Sequence, residues 1–463
     1  MSDETYDLVV LGTGSGGEVA AGEIARAGGR AAAVDEALFG GECPYLACVP
    51  SKAILLSAHE HVLVGGDHDE AYARAVRRRD EAAVQRDDAG MVRGLTGDGI
   101  EVVRGRGVLA GRIGDDLVVQ VGERRLRAKA VVIGTGSAPV VPPIDGLDDV
   151  PTWTSDQALS SPDRPARLAI LGGGAVGCEL AQVYASFGTA VVMLESAEHL
   201  LSREPAFVGE RLAVALGALG VDIRLGVTIT GTAPHGDGLR VLVKDGPGVI
   251  ADRLLIAGGR RARGADIGLE TVGARPADDG SIGVDPRCRV LDAAGDPIEG
   301  LFAVGDVTGI APYTHTASYQ GRIVAAHLLG HGRDADYTAV PRAVYTAPAT
   351  FGVGETPEQV RARGVHALVD GIDLADTGRG FIAGAAGGRL EIVVDAATGR
   401  LLGASAVGPD ADSWGGELAL AVRARLDVWL LADNVHAFPA WSEVVQPVAT
   451  RLAARIDELR ASA

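Results

Sequence analysis

Two cysteines, Cys43 and Cys48, stand five positions apart in the run Gly40-Gly41-Glu42-Cys43-Pro44-Tyr45-Leu46-Ala47-Cys48-Val49-Pro50-Ser51-Lys52. Joining thiols this close in sequence closes only a small loop, and a cross-link stabilises less the shorter the loop it closes. Such a pair is better suited to making and breaking a disulfide than to stapling a fold. The alternative is two small apolar residues that happen to fall near each other. Cys178 and Cys288 lie far off and match no partner by spacing. Lysine is confined to Lys52, Lys129 and Lys244, so a lysine four positions after Cys48 stands out.

A second run, just upstream, has phosphate chemistry written into it. Gly12-Thr13-Gly14-Ser15-Gly16-Gly17 has the G-x-G-x-x-G spacing. It follows an apolar strand-like stretch, Tyr6 to Leu11, and precedes a helix-like one, Glu18 to Ala27. In that setting Gly12 permits a tight turn, Gly14 lets a diphosphate approach the backbone, and Gly17 lets helix and strand pack closely. Asp35 ends the next strand, Ala31 to Val34, 23 positions after Gly12, where it can accept from a ribose hydroxyl. The arrangement then recurs roughly 160 residues on. Gly172-Gly173-Gly174-Ala175-Val176-Gly177 sets Gly172, Gly174 and Gly177 at the same spacing, with Glu195 again 23 positions after the first glycine. A carboxylate there favours the free 2′-hydroxyl of NAD over the 2′-phosphate of NADP, and no arginine directly follows Glu195.

Two dinucleotide sites and a dithiol imply a relay. Nicotinamide delivers hydride to a second bound dinucleotide, which passes electrons to sulfur. FAD is the natural second dinucleotide, because flavin accepts a hydride and reduces a disulfide.

The elements around these motifs alternate strand and helix, as a doubly wound α/β sheet requires. At 463 residues the chain is long enough for two to four domains with ample core. A charge-rich stretch, 68 to 95, reads as a solvated helix, and short β runs fill Ile100 to Ile133. Pro139 to Pro151 reads as a linker, and after Tyr337 short strands and helical periodicity from Glu417 to Leu431 suggest an α+β domain. The expected fold is thus two Rossmann-like domains plus a C-terminal α+β interface domain. Its expected boundaries are 1–150 and 266–336 for FAD, 151–265 for NAD and 337–463 for the interface. The net charge of −18 disfavours nucleic acid and anionic membrane surfaces as partners. No apolar stretch is long enough to span a bilayer, no metal-ligand cluster is read, and Met1-Ser2-Asp3-Glu4 leaves no room for a signal peptide. With so few cysteines, the expected location is cytoplasmic.

These motifs together resemble the class I pyridine nucleotide–disulfide oxidoreductases, the dihydrolipoamide dehydrogenase-like flavoenzymes, over essentially the full length. Beyond the two glycine runs and the cysteine pair, the resemblance rests on Ile133-Gly134-Thr135-Gly136-Ser137, on Leu301-Phe302-Ala303-Val304-Gly305-Asp306, and on the region Pro439 to Glu443. It implies that Gly41, Thr135, Gly136, Gly305 and Asp306 line the FAD site, with Asp306 on the ribityl chain. It further implies that Cys48 forms the thiolate against the flavin, while Cys43 exchanges with the substrate. Lys52 would lie near the flavin, paired with Glu179. A homodimer is implied as well, with the C-terminal region of one subunit completing the other's thiol site.

One departure alters the expected chemistry. Disulfide-reducing members carry a histidine directly before a proline, with a glutamate five residues after the histidine, as acid/base. Here Glu443 is in place but the histidine's position is Phe438, and His436 lies two residues earlier. In an extended segment His436 would be displaced by about 6–7 Å. Loss of a positioned acid/base forfeits about 10²–10⁴ in rate, roughly 3–5 kcal/mol of barrier. The leading expectation is an enzyme passing hydride from NADH through FAD and the Cys43–Cys48 disulfide to a small-molecule or small-protein acceptor of disulfide/dithiol type. The alternatives are a quinone, dye or metal-ion reductase of the same fold, and a flavin-binding redox sensor without turnover.

Overall fold

A computed structural model of the chain describes residues 4–384 and 387–462, so the acidic start Met1-Ser2-Asp3 lies outside the described residues. The chain divides into two compact units. The first holds the chain up to Ala53, Val76–Val140 and Gly259–Asp336; the second holds Ile54–Ala75, Val141–Gly258 and the chain from Tyr337 on.

The first unit is built on an eight-stranded sheet. Pro297–Ala303, Arg124–Ile133, Glu4–Leu11, Ala31–Asp35 and Glu101–Arg104 lie side by side in parallel, with Val9 between Val131 and Ala32. Leu8, Val9, Val10 and Leu11 are all buried, which is why this strand reads as an unbroken apolar run. Alternation sends them to opposite faces. Val9 and Leu11 join one core cluster, whereas Leu8 and Val10 pack with Ala20, Ala21 and Ile24 of the helix Ser15–Arg26. That helix crosses the helix Thr314–Leu328 closely, since a Cβ on Gly321 would lie 2.4 Å from the Gly16 carbonyl oxygen. The crossing brings a distant chain segment to the glycine turn.

The second unit repeats the plan with the parallel order Asp222–Arg224, Ala190–Leu194, Arg167–Leu171, Arg253–Ile256, Thr152–Trp153. It adds a five-stranded antiparallel sheet: Arg342–Val344, Ala349–Gly354, Leu401–Gly408, Arg389–Asp395, Ala367–Asp373. The helix Val445–Ser462 buries Val445, Val448, Ala449, Leu452 and Ile456 into the core of that α+β layer. Two doubly wound layers and one α+β layer are the fold class expected above.

Three local expectations need correction. The stretch 68–95 is two helices, His68–Ala82 and Ala89–Gly97, parted by Val84, Gln85 and Arg86 at positive φ. It is also less solvated than its charge suggests, because Arg79 is wholly buried beside Asp80. The proline-rich linker begins as a strand: Ser137–Pro139 pairs with Arg260–Ala262. The periodicity from Glu417 to Leu431 breaks into Gly416–Arg423 and Val428–Asp433, with Arg425 at positive φ between them. Periodicity alone does not register such a reversal of backbone handedness. Among the described residues, no helix is long and apolar enough to cross a membrane.

Candidate active site

In the first unit the turn between Glu4–Leu11 and Ser15–Arg26 has the geometry its glycines demand. Gly12 sits at φ +91°, and a Cβ there would meet the Gly134 carbonyl oxygen at 2.4 Å. A Cβ on Gly17 would lie 2.3 Å from the Gly12 oxygen, so helix and strand touch through hydrogen alone. Above Gly14 there is open space, with nothing within 4 Å of a Cβ. No side chain caps the helix, so its leading amides face that space. Gly41 closes the turn from the other side, its own Cβ position lying 2.8 Å from Gly14 Cα. Asp35 accepts from the Thr13 amide and hydroxyl, both at 2.8 Å, which fixes the carboxylate at the turn. An open, amide-lined cradle with a carboxylate at its lip fits the diphosphate and ribose of a dinucleotide.

The second unit repeats the device. Gly172 sits at φ +110° with a Cβ position 2.5 Å from the Ala257 oxygen, and a Cβ on Gly177 would lie 2.0 Å from the Gly172 oxygen. Gly174 again faces open space at the uncapped start of the helix Ala175–Ser186. Glu195 accepts from the Gly173 amide at 2.5 Å, the Ala197 amide at 2.7 Å and the Ser196 hydroxyl at 3.1 Å. Burial works against ionisation, yet these amides hold the Glu195 carboxyl below its usual range, so it stands as an anion at the lip of the cradle.

The dithiol lies in the first unit. Cys43 rides on the four-residue helix Glu42–Tyr45, and Cys48 opens the helix Cys48–Val64. Both sulfurs are in the reduced state and share one partner: the Thr314 hydroxyl lies 3.3 Å from each. Thr314 begins the 15-residue helix Thr314–Leu328, whose N-terminal dipole favours a thiolate. A hydrogen bond with Cys48 and burial push the Cys43 thiol far above its ordinary range, while the Thr314 hydroxyl and the Lys52 charge pull it down. Lys52 donates to the Ser51 hydroxyl at 3.2 Å, one turn along from Cys48.

Thr314 is a site residue that the sequence did not single out. Thr314→Val removes the hydroxyl and lets the Cys43 thiol rise further, so less thiolate is present at any given pH. Iodoacetamide labelling of Cys43 in the reduced protein should slow by about 2- to 10-fold, the worth of one neutral hydrogen bond. The whole rate profile should move to higher pH. An unmoved profile would make the hydroxyl a bystander.

A chain of polar contacts leads away from the dithiol. Asp306 accepts from Ser137 Oγ at 2.6 Å. Ser137 in turn receives Arg260 Nε on its hydroxyl at 2.7 Å and Arg260 Nη2 on its carbonyl at 2.8 Å. The same guanidinium reaches Glu42 Oε2 at 2.5 Å, and Arg263 lies 3.3 Å from Glu42 Oε1. Thr135 and Gly136 bracket this chain, through Thr135 Oγ1 donating to the Arg263 carbonyl and the Arg263 amide donating to the Gly136 carbonyl. Gly305, next to Asp306, has φ +78° and donates its amide to the buried Gln320. Glu42 adjoins Cys43 and so was open to notice. The roles of Ser137, Arg260 and Arg263 arise only from strand pairing.

In the second unit Glu179 is buried on the helix Ala175–Ser186 and accepts from the Tyr345 amide at 3.0 Å. Glu443 accepts from the Arg379 amide at 2.8 Å and the Ala440 amide at 3.4 Å. Phe438 stands 78% exposed. A Cβ on Gly378 would meet the Phe438 ring at 2.5 Å and Glu443 Oε1 at 3.3 Å, so ring and carboxylate flank the same glycine. His436 does not take the missing place. Its side chain is turned inward onto Glu417, with Nε2 3.0 and 3.1 Å from the two carboxylate oxygens, and Nδ1 is buried with no partner among the described residues.

The chain matches known proteins over nearly its whole length. Residues 6–321 match the family model of the pyridine nucleotide-disulphide oxidoreductases, and residues 340–449 match that of their dimerisation domain. The dihydrolipoyl dehydrogenase of Thermus scotoductus is 33% identical, over 97% of this chain and 98% of its own. That of Chlorobaculum tepidum is 32% identical, over 96% of each chain. Among solved structures, the HOCl-induced flavoprotein disulfide reductase RclA from Escherichia coli superposes with a TM-score of 0.85 at 30% identity, covering 96% of this chain and 99% of that one. The Cu(II) complex of the same protein superposes with a TM-score of 0.85 at 29% identity, covering 97% of this chain and all of that one. Matched across both its nucleotide-binding and its dimerisation regions, this chain belongs to the pyridine nucleotide-disulphide oxidoreductases, FAD-dependent enzymes that exchange electrons between NAD(H) and a disulfide.

Proposed function

We propose that this enzyme takes hydride from NADH and delivers the electrons through Cys43 and Cys48 to a small acceptor of disulfide or dithiol type. The observation that carries the reading is the convergence of both sulfurs on the Thr314 hydroxyl at a helix N-terminus. FAD, when bound, supplies a two-electron store between nicotinamide and sulfur. The first-unit cradle (Gly12, Gly14, Gly17 and Gly41) holds its diphosphate, Asp35 its adenosine ribose, and Asp306 with Gly305, Thr135 and Gly136 its ribityl end. Gly172, Gly174, Gly177 and Glu195 hold NADH. Segments 1–150 and 266–336 serve FAD, 151–265 serves NADH, and 337–463 forms a homodimer interface, a reading supported by the dimerisation-domain match over residues 340–449.

Within the pair, Cys43 keeps its proton and acts as the exchanging thiol, while Cys48 carries the negative charge. Lys52 balances charge beside the flavin, and Glu179 is the second charged residue assigned to catalysis. Glu443 marks the place of an acid/base whose imidazole is absent. Steady-state oxidation of NADH by the FAD-loaded protein, assayed with lipoamide, glutathione disulfide, a quinone and Cu(II), tests the reading. It stands if any small disulfide is consumed in step with NADH, and fails if none is.

Exposed Phe438 favours a second reading, a metal-ion acceptor that needs no proton from residue 438. The similarity to a flavoprotein disulfide reductase solved as a Cu(II) complex supports it. In the same assay, it wins if Cu(II) reduction outpaces every disulfide.

A further inference from the structure

The turn that carries Cys43 has little of its own to hold it in place. Glu42–Tyr45 is only four residues long, starts at Gly41 with φ +73°, and has no side-chain cap. A helix this short does not persist through its own hydrogen bonds. Besides the Thr314 contact to Cys43, two features tie it down. Tyr45 is buried, and the Glu42 carboxylate is gripped by Arg260 and Arg263, with Arg260 locked in turn onto both the hydroxyl and the carbonyl of Ser137. Arg260 belongs to the strand Arg260–Ala262, which pairs with Ser137–Pro139. These two strands lie where the chain leaves the first unit, after Val140, and where it returns, at Gly259. The Cys43 turn is thus fastened to a short two-stranded ribbon that also carries the partner of Asp306.

We propose that Glu42 and Arg260 are positioning residues that set the redox equilibrium of the Cys43–Cys48 pair by holding the opened dithiol ready to reclose. The inference rests on reading those cysteines as the redox pair. A disulfide keeps its own two cysteines together, and opening it releases chain freedom that favours the reduced state. A latch that retains Cys43 after the bond opens withholds that freedom, keeps the effective concentration of one thiol at the other high, and so favours the disulfide. The shared Thr314 contact in the reduced state is what a retained dithiol looks like.

The test is an equilibrium titration of the FAD-loaded protein against mixtures of reduced and oxidised dithiothreitol. Each reduced dithiothreitol gives up two thiol hydrogens and closes its own ring disulfide as the Cys43–Cys48 bond opens to two thiols, so atoms and electrons balance without other reagents. The disulfide fraction is read by alkylating thiols and weighing the peptide that contains both cysteines. Glu42→Ala should lower the constant for disulfide formation about tenfold, equivalent to about 30 mV for a two-electron couple. Arg260→Met should do the same, Arg260→Lys should retain most of the wild-type constant, and the double variant should move it no further than either single one, because both belong to one latch. Glu42 is one-third exposed, so Glu42→Ala decides the matter even if Arg260→Met does not fold. A constant within about twofold of wild type in folded, flavin-loaded Glu42→Ala overturns the latch. A wild-type protein in which the peptide never forms a disulfide overturns the redox-pair reading beneath it.

Discussion

Replacing Cys43 by serine is expected to end disulfide reduction while leaving the flavin reducible by NADH. kcat/KM toward a small disulfide should fall on the order of 10³-fold or more, as for other covalent nucleophiles. The two cysteines should also separate by colour. Under anaerobic NADH the wild type should develop a long-wavelength band from thiolate against reoxidised flavin. Cys43→Ser should instead show the band before NADH is added, from its Cys48 thiolate beside oxidised flavin, and bleach it once NADH reduces a flavin that has no disulfide to empty into. Cys48→Ser should show no band. This asymmetry accords with the reduced pair, where a hydrogen bond with Cys48 and burial push the Cys43 thiol upward. Absence of the band from oxidised Cys43→Ser with its presence in oxidised Cys48→Ser would reverse the two roles, and its absence from the NADH-treated wild type would take the dithiol out of the electron path.

Phe438→His should raise turnover of dihydrolipoamide or a comparable small dithiol by about 10²-fold or more, the usual contribution of a positioned acid/base. The structure favours a large gain because the Phe438 ring and Glu443 Oε1 already flank Gly378. An imidazole in place of the phenyl ring starts beside its orienting carboxylate. The carboxylate favours the protonated ring, and the base works only when neutral. The gain should therefore be fully present above the titration of the new histidine, displaced upward from about 6.5, and vanish as pH falls through it. An unchanged rate with an intact dithiol band would mean that the acceptor pocket is shaped for a different chemistry. His436→Gln serves as control and should leave the rate unchanged, since His436 is committed to Glu417.

Much of this was legible in the residue order because several motifs are local. A glycine turn, the strand before it and the helix after it lie within about 20 residues, so their spacing reports their geometry directly. The strand-end acids Asp35 and Glu195 were readable for the same reason, and both are engaged at their turns. What stayed hidden is non-local. Thr314 reaches the sulfurs only because its helix crosses Ser15–Arg26 through Gly321 and Gly16. Arg260 reaches Glu42 only because two short strands pair across an insertion of more than a hundred residues. The helix break near Arg425 is hidden differently, since apolar spacing continues through a backbone reversal that it does not encode.

The way Glu443 is held makes its position independent of neighbouring side chains. Its anchors are main-chain amides of residues 379 and 440, which persist whatever side chains those positions carry. The carboxylate is therefore kept in place whichever residue stands at position 438.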